Sequence, residues 1–147
     1  MAKAAAGCHF CQIVAGAAPA AVVFEDAISL GFLDQRPLFP GHTLLIPRDH
    51  HETLAELPRA LLEPLFANAQ LLARAVEQAL AAEGTFVAIN NRVSQSVPHL
   101  HAHIVPRRKG DGLRGFFWPR QKYADAGEME KIRKSIQVTV ERLRSDG

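Results

Sequence analysis

The stretch Pro98-His99-Leu100-His101-Ala102-His103-Ile104-Val105-Pro106 decides how this 147-residue chain is read. Successive side chains of a β-strand point to opposite faces. A strand here puts His99, His101 and His103 on one face and Leu100, Ala102 and Ile104 on the other. The second set suits a core. The first is a row of three imidazoles, and a merely solvated polar face is a poor account of histidine at every second position. Two kinds of chemistry use such a row. Neutral imidazoles hold a catalytic metal, or one imidazole is a nucleophile that its neighbours orient. An unperturbed pKa of about 6.5 leaves histidine largely neutral near pH 7 and suits both.

Outward from the row, a strand is expected over Val97–Val105 and another over Thr85–Ile89. Val22–Glu25 and Ile28–Asp34 read as two strands about a polar turn, and His42–Ile46 as one stopped by Pro47. Leu62, Leu65, Ala69, Leu72, Val76 and Leu80 recur at helical spacing. Pro64 sets the start of that helix near Ala60 or later, or kinks it, and Gly84 fits just past its end. Asp125 with Glu128 resembles an N-cap box before Met129, Ile132, Ile136, Val140 and Leu143. No regular β-α-β alternation appears. The expected fold is α+β, a five-stranded antiparallel sheet with a long helix and a C-terminal helix. One domain over residues 8–147 is expected, with residues 1–7 a disordered tail.

Composition agrees with a globular domain: 48% hydrophobic, 22% charged, net charge +2. It excludes a fibre, a disordered chain and a disulfide-rich module. No apolar run approaches the roughly 20 residues of a membrane span, so no membrane association is expected. No apolar stretch precedes Cys8 in this sequence, and although Ala5-Ala6-Gly7-Cys8 resembles a lipoprotein box, neither a signal peptide nor a lipid anchor is expected. A cytoplasmic protein is expected. Cys8 and Cys11 have the spacing of a metal or redox pair. Residues 107–122 hold six basic residues and one acid. That local excess suits a small anionic ligand better than a nucleic-acid track, and no nucleic-acid partner is expected. With Trp118 and Tyr123 the segment reads as a flap over a polyphosphate, a solvated loop or a dimer contact.

The alternating histidines, together with Cys8-His-Phe-Cys11-Gln-Ile13, Val23-Phe-Glu-Asp26, Phe32-Leu-Asp34, Pro40-Gly-His42, Ile46-Pro-Arg-Asp-His50 and Ser94-Gln-Ser-Val97, resemble the histidine-triad (HIT) nucleotide hydrolase and transferase family. The resemblance covers nearly the whole chain and points to a bacterial zinc-containing branch. It implies that His101 attacks the α-phosphorus of a nucleotide, giving a nucleotidyl-histidine that water hydrolyses. The His99 carbonyl would hold the His101 ring, His103 would donate to a phosphate oxygen or leaving group, and His42 would support the row. Ser96, Gln95 and Asn90 would contact phosphate, although Ser96 and Gln95 also suit ordinary turn polarity. Asp34 would take the ribose hydroxyls. Phe10, Ile13 and Phe32 would sandwich the base or simply pack in the core. Cys8, Cys11, His50 and His99 would close a structural zinc site, with His51 the competitor of His50.

The resemblance further implies a purine nucleotide substrate and a homodimer. Dinucleoside polyphosphates are the leading substrates. Alternatives are adenylyl phosphoramidates or phosphosulfates, a phosphorylase, or a nucleotide-binding scaffold with vestigial activity.

Overall fold

The computed structural model describes residues 2–113 and 120–146. They form two compact units, divided between Asp111 and Gly112. The first holds α1 (His9–Val14), β1 (Val22–Glu25), β2 (Ser29–Leu33), β3 (Thr43–Pro47), a 3-10 turn (Leu54–Glu56), α2 (Arg59–Leu80), β4 (Gly84–Ile89) and β5 (Ala102–Arg107). The second holds α3 (Ala126–Asp146). The strands make one antiparallel sheet in the order β1-β2-β3-β5-β4. The α+β reading and the five-stranded antiparallel sheet therefore stand.

Strand alternation sends two sets of side chains to two cores. On one face, Leu45, Ala102 and Ile104 meet Leu65, Ala69, Leu72 and Val76 of α2. Those four are the central members of the helical stripe read from sequence, and each buried Leu or Val contributes about 1.5–3 kcal/mol. On the other face, Leu30, Phe32, Leu44 and Ile46 meet Cys8, Phe10, Cys11 and Ile13 around α1. Gly31 permits the close approach of α2, since a Cβ there would lie 3.0 Å from Leu72 Cδ1. Gly41, at φ +97°, would put any side chain into Leu80. Glycine's freedom therefore shapes the chain just ahead of His42.

Two local readings need correction, while the long helix starts beside the expected Ala60. The last strand begins at Ala102, not at Val97. Pro98 has no N–H to give a ladder, His99 N–H turns back to the Val97 carbonyl at 2.8 Å, and Leu100 N–H goes to the His51 carbonyl at 2.6 Å. Helix α2 begins at Arg59, so Pro64 is its sixth residue and stands beyond the first turn. The Ala60 carbonyl that loses its helical partner is on an exposed residue, where water replaces it. The left-handed residue closing α2 is Ala81, at φ 50°, while Gly84 already opens β4. Arg108 offsets that strain by donating to the Leu80 and Ala81 carbonyls at 2.5 and 2.7 Å.

Helix α1 was not read from periodicity, because six residues are too few to show it. Ahead of it, Lys3 N–H donates to Asp49 Oδ1 at 2.8 Å and the Lys3 carbonyl accepts from His50 N–H at 2.7 Å. In the second unit, Glu128 N–H donates to Asp125 Oδ1 at 2.8 Å, as the capping reading expects. The Glu128 carboxylate, however, accepts from Ala124 N–H. No residue of α3 is buried.

Candidate active site and metal centre

The site lies where the turn before β5 meets α1 and β3. Cys8 is the N-cap of α1, and Cys11 N–H donates to Cys8 Sγ at 3.5 Å. The C-x-x-C spacing thus places one sulfur at the cap and the other in the first turn, facing the same space. Cys11 Sγ also accepts from Ala5 N–H at 3.5 Å. His99 Nδ1 lies 3.5 Å from Cys8 Sγ and 3.6 Å from Cys11 Sγ, and His50 Nδ1 lies 3.4 Å from Cys11 Sγ. The four donors fall within 4.8 Å of one another.

Their chemistry fits zinc. With Zn–S of about 2.3 Å and Zn–N of about 2.0 Å, a tetrahedral site has an S···N edge of about 3.5 Å. The three measured separations match that edge. His99 Nε2–H donates to the Pro47 carbonyl at 2.9 Å, which fixes the ring and turns bare Nδ1 to the sulfurs. Burial pushes the Cys11 thiol up, so without a cation this pocket holds a neutral thiol. The structure brings His50 into the cluster, not His51. His51 contributes its carbonyl to Leu100, and its Nε2 is buried with no hydrogen-bond partner among the described residues.

The remaining imidazoles form a chain whose tautomers follow from fixed partners. His101 Nδ1 lies 2.7 Å from the His99 carbonyl, which can only accept. The proton is therefore on Nδ1, and Nε2 carries a free lone pair. Leu38 N–H can only donate, and it points at His42 Nδ1 at 3.1 Å. His42 must then hold its proton on Nε2 and give it to His103 Nδ1, 3.0 Å away. That leaves His103 with a proton on Nε2. Burial is the largest cause that lowers the pKa of His42 and His101, and it takes His99 and His103 down to about 4. The whole row is neutral at pH 7.

A cleft of about 210 Å³ opens beside His101 and His103. Phe10, Ile13, Phe32, Asp34 and Ser96 line it, as does His9, whose place the sequence left open. Phe10 sets its ring edge-on to Phe32 at 5.5 Å and to His101 at 5.2 Å. Asn90 and Gln95 do not line it. Gln95 accepts from Arg92 N–H at 2.9 Å and donates to the Glu52 carbonyl at 2.6 Å, while Asn90 donates to the Ser94 carbonyl at 3.3 Å. Both amides brace the loop that delivers Ser96. Leu38 and Pro47 are the partners that sequence reasoning missed. They act through backbone atoms, which no residue pattern reveals. Of the basic segment, Arg107 pairs with Asp111 and Arg108 closes α2. Arg114 and Trp118 lie outside the described residues.

The HIT domain family matches residues 15–110. This chain belongs to that family. It is 38% identical to the protein hit of Bacillus subtilis over 96% of this chain and 97% of that one. Two relatives are named as enzymes. Adenylylsulfatase HINT3 of Arabidopsis thaliana is 34% identical over 72% of this chain and 55% of its own. Adenosine 5'-monophosphoramidase HNT1 of Saccharomyces cerevisiae is 30% identical over 92% and 84%. A solved Zn-bound histidine triad family protein from Mycobacterium smegmatis superposes with a TM-score of 0.69 at 37% identity, covering 96% of this chain and 98% of that one. Among the described residues no helix is long and apolar enough to cross a membrane.

Proposed function

We propose that this HIT-family chain is a nucleotidyl hydrolase acting at the α-phosphate of dinucleoside polyphosphates or related adenylyl compounds. The observation that carries it is the 2.7 Å bond from His101 Nδ1–H to the His99 carbonyl, which leaves a bare Nε2 on a ring that lines the cleft. A nucleophile needs that lone pair. Nε2 attacks phosphorus, and the bond from phosphorus to the leaving oxygen or nitrogen breaks. His103 Nε2–H donates a hydrogen bond to the leaving atom, which departs with the bonding electron pair and takes any proton it needs from solvent. Water then attacks the nucleotidyl-histidine and gives its proton to solvent, and His101 departs with its lone pair restored.

Phe10, Ile13 and Phe32 wall the base slot, Asp34 accepts from the ribose hydroxyls, and Ser96 faces the phosphate. The cleft is smaller than the roughly 300–1,000 Å³ of ordinary ligand sites. One nucleoside fills it and the leaving group lies outside. The names of the two enzyme relatives favour a second reading, in which that leaving group is a small sulfate or amine. Zinc held by Cys8, Cys11, His50 and His99 would have four protein ligands and no open position, and so would supply rigidity under the row.

Rapid quench with an adenylyl compound labelled at its α-phosphate tests the mechanism. Acid-labile label on the wild-type protein is expected, and none on His101→Ala, with turnover falling about 10³-fold or more. Turnover without any trapped label would remove the covalent step. No turnover on any adenylyl compound would leave a binding protein.

A further inference from the structure

Cys8 and Cys11 are the chain's only cysteines, both free, and the proposed reaction leaves them idle. Cys8 caps α1 and Cys11 follows in its first turn, with their sulfurs within 4.8 Å of each other. That spacing at a helix start forms and breaks disulfides in thiol oxidoreductases. We infer that Cys8 and Cys11 are a reversible redox site, at which peroxide closes a disulfide, expels zinc and switches off the histidine row. Both sulfurs are buried yet open to small oxidants. Cys11 lines a hollow of about 650 Å³ with Val14, Ala15 and Arg48. Cys8 lines another of about 350 Å³ with His9, His50 and Ser96. Each is far larger than the roughly 30 Å³ share of one water molecule.

The chemistry balances. One thiolate sulfur attacks a peroxide oxygen, the O–O bond breaks and hydroxide leaves, giving a sulfenic acid. The other sulfur attacks the first, and a second hydroxide leaves as the S–O bond breaks. Two protons from solvent turn both hydroxides into water. Two electrons pass from sulfur to oxygen, and zinc departs as the dication it was. His50 and His99 alone are too few ligands for a closed tetrahedral site. The output passes through His99. Its carbonyl holds the His101 ring, yet His99 lies outside the β5 ladder, which starts at Ala102. The His99 ring is fixed by the Pro47 carbonyl on one side and faces the sulfurs on the other. Loss of the metal frees that second side and loosens the carbonyl that orients the nucleophile. This last step rests on the nucleotidyl hydrolase reading, whereas the disulfide does not.

The test treats the reduced, zinc-loaded chain with a small excess of hydrogen peroxide and follows zinc with a coloured chelator. Release of one zinc per chain is expected, with loss of both alkylatable thiols and a peptide that joins Cys8 to Cys11. Dithiothreitol and added zinc should restore thiols and metal. Retained zinc, intact thiols, a disulfide between two chains, or sulfinic acid in place of the disulfide overturns the site. Turnover of an adenylyl substrate should fall at least ~10-fold and return on reduction. Unchanged turnover after zinc release overturns the switch. A reduced chain with no turnover at all removes the hydrolase reading, and the peptide map still decides the disulfide.

Discussion

His99 and His103 sit at the two ends of one histidine row, equally neutral, and their neighbours give them different work. His99 is fully buried, faces two sulfurs through Nδ1 and gives its Nε2 proton to the Pro47 carbonyl. His103 is half-buried, lies within β5 opposite Leu44 and Ala88, and accepts a hydrogen bond from His42, which lies beside Asp34. Burial holds both near 4, so burial does not distinguish them. The partners do. Soft sulfur donors and a fixed carbonyl make one end a place for zinc. A proton-holding ring and a carboxylate make the other, in the proposed reaction, a hydrogen-bond donor to the leaving group. His101 stands between them and is oriented through the backbone of the first.

Two treatments should split these ends. The larger effect belongs to the sulfur end. Cys11→Ser should lower zinc from one per chain to none by elemental analysis and cost about 3–5 kcal/mol in urea unfolding. Equal zinc in variant and wild type would dissolve the contrast. Acid should act on both ends, and a variant at His103 isolates the share of the carboxylate end. His42 and His103 have folded pKa values below the unfolded 6.5, so the unfolded chain binds more protons on acidification. Their contribution is fully present above pH 6.5 and is lost as pH falls toward about 4. Thermal unfolding should show that loss, about 1–2 kcal/mol after allowance for partial exposure. His103→Asn should flatten it. An unchanged slope in that variant would assign the acid response elsewhere.

Side-chain periodicity carried most of the fold. The stripe Leu65, Ala69, Leu72 and Val76 is buried as its spacing requires, and the apolar alternates Leu100, Ala102 and Ile104 enter the same core. The alternation misled at Pro98. Its missing N–H and the Leu100–His51 bond keep His99 out of the ladder, yet the row still shares one side. The site's composition was legible, because cysteine and histidine are rare and their spacing is specific. Its orientation was not. The atoms that set the tautomers are Leu38 N–H and the carbonyls of Pro47 and His99, and every residue carries such atoms. Gln95 shows the same limit in reverse. Its amide suits a phosphate, but the Glu52 carbonyl and Arg92 N–H engage it first.

The smallest prediction concerns the loop that leads into the row. Arg92 and Ser94 are both left-handed, at φ 69° and 58°, in the loop that leads to Ser96 at the cleft. Such a conformation costs a non-glycine residue about 1 kcal/mol. Asn90, Asn91 and Gln95 hold the loop with side-chain bonds to Ser94, Leu54, Arg92 and Glu52, and none of these uses the Ser94 side chain. Ser94→Gly should therefore relieve strain and keep the anchors. The expected gain is about 0.5 kcal/mol, part of the relief being offset by the greater freedom of glycine when unfolded. Turnover should change less than twofold, measured beside the wild type on one adenylyl substrate. A drop of tenfold or more with stability gained would mean that the strained backbone itself positions Ser96. The Ser96 side of the cleft would then depend on loop conformation, while the two ends of the row depend on their own partners.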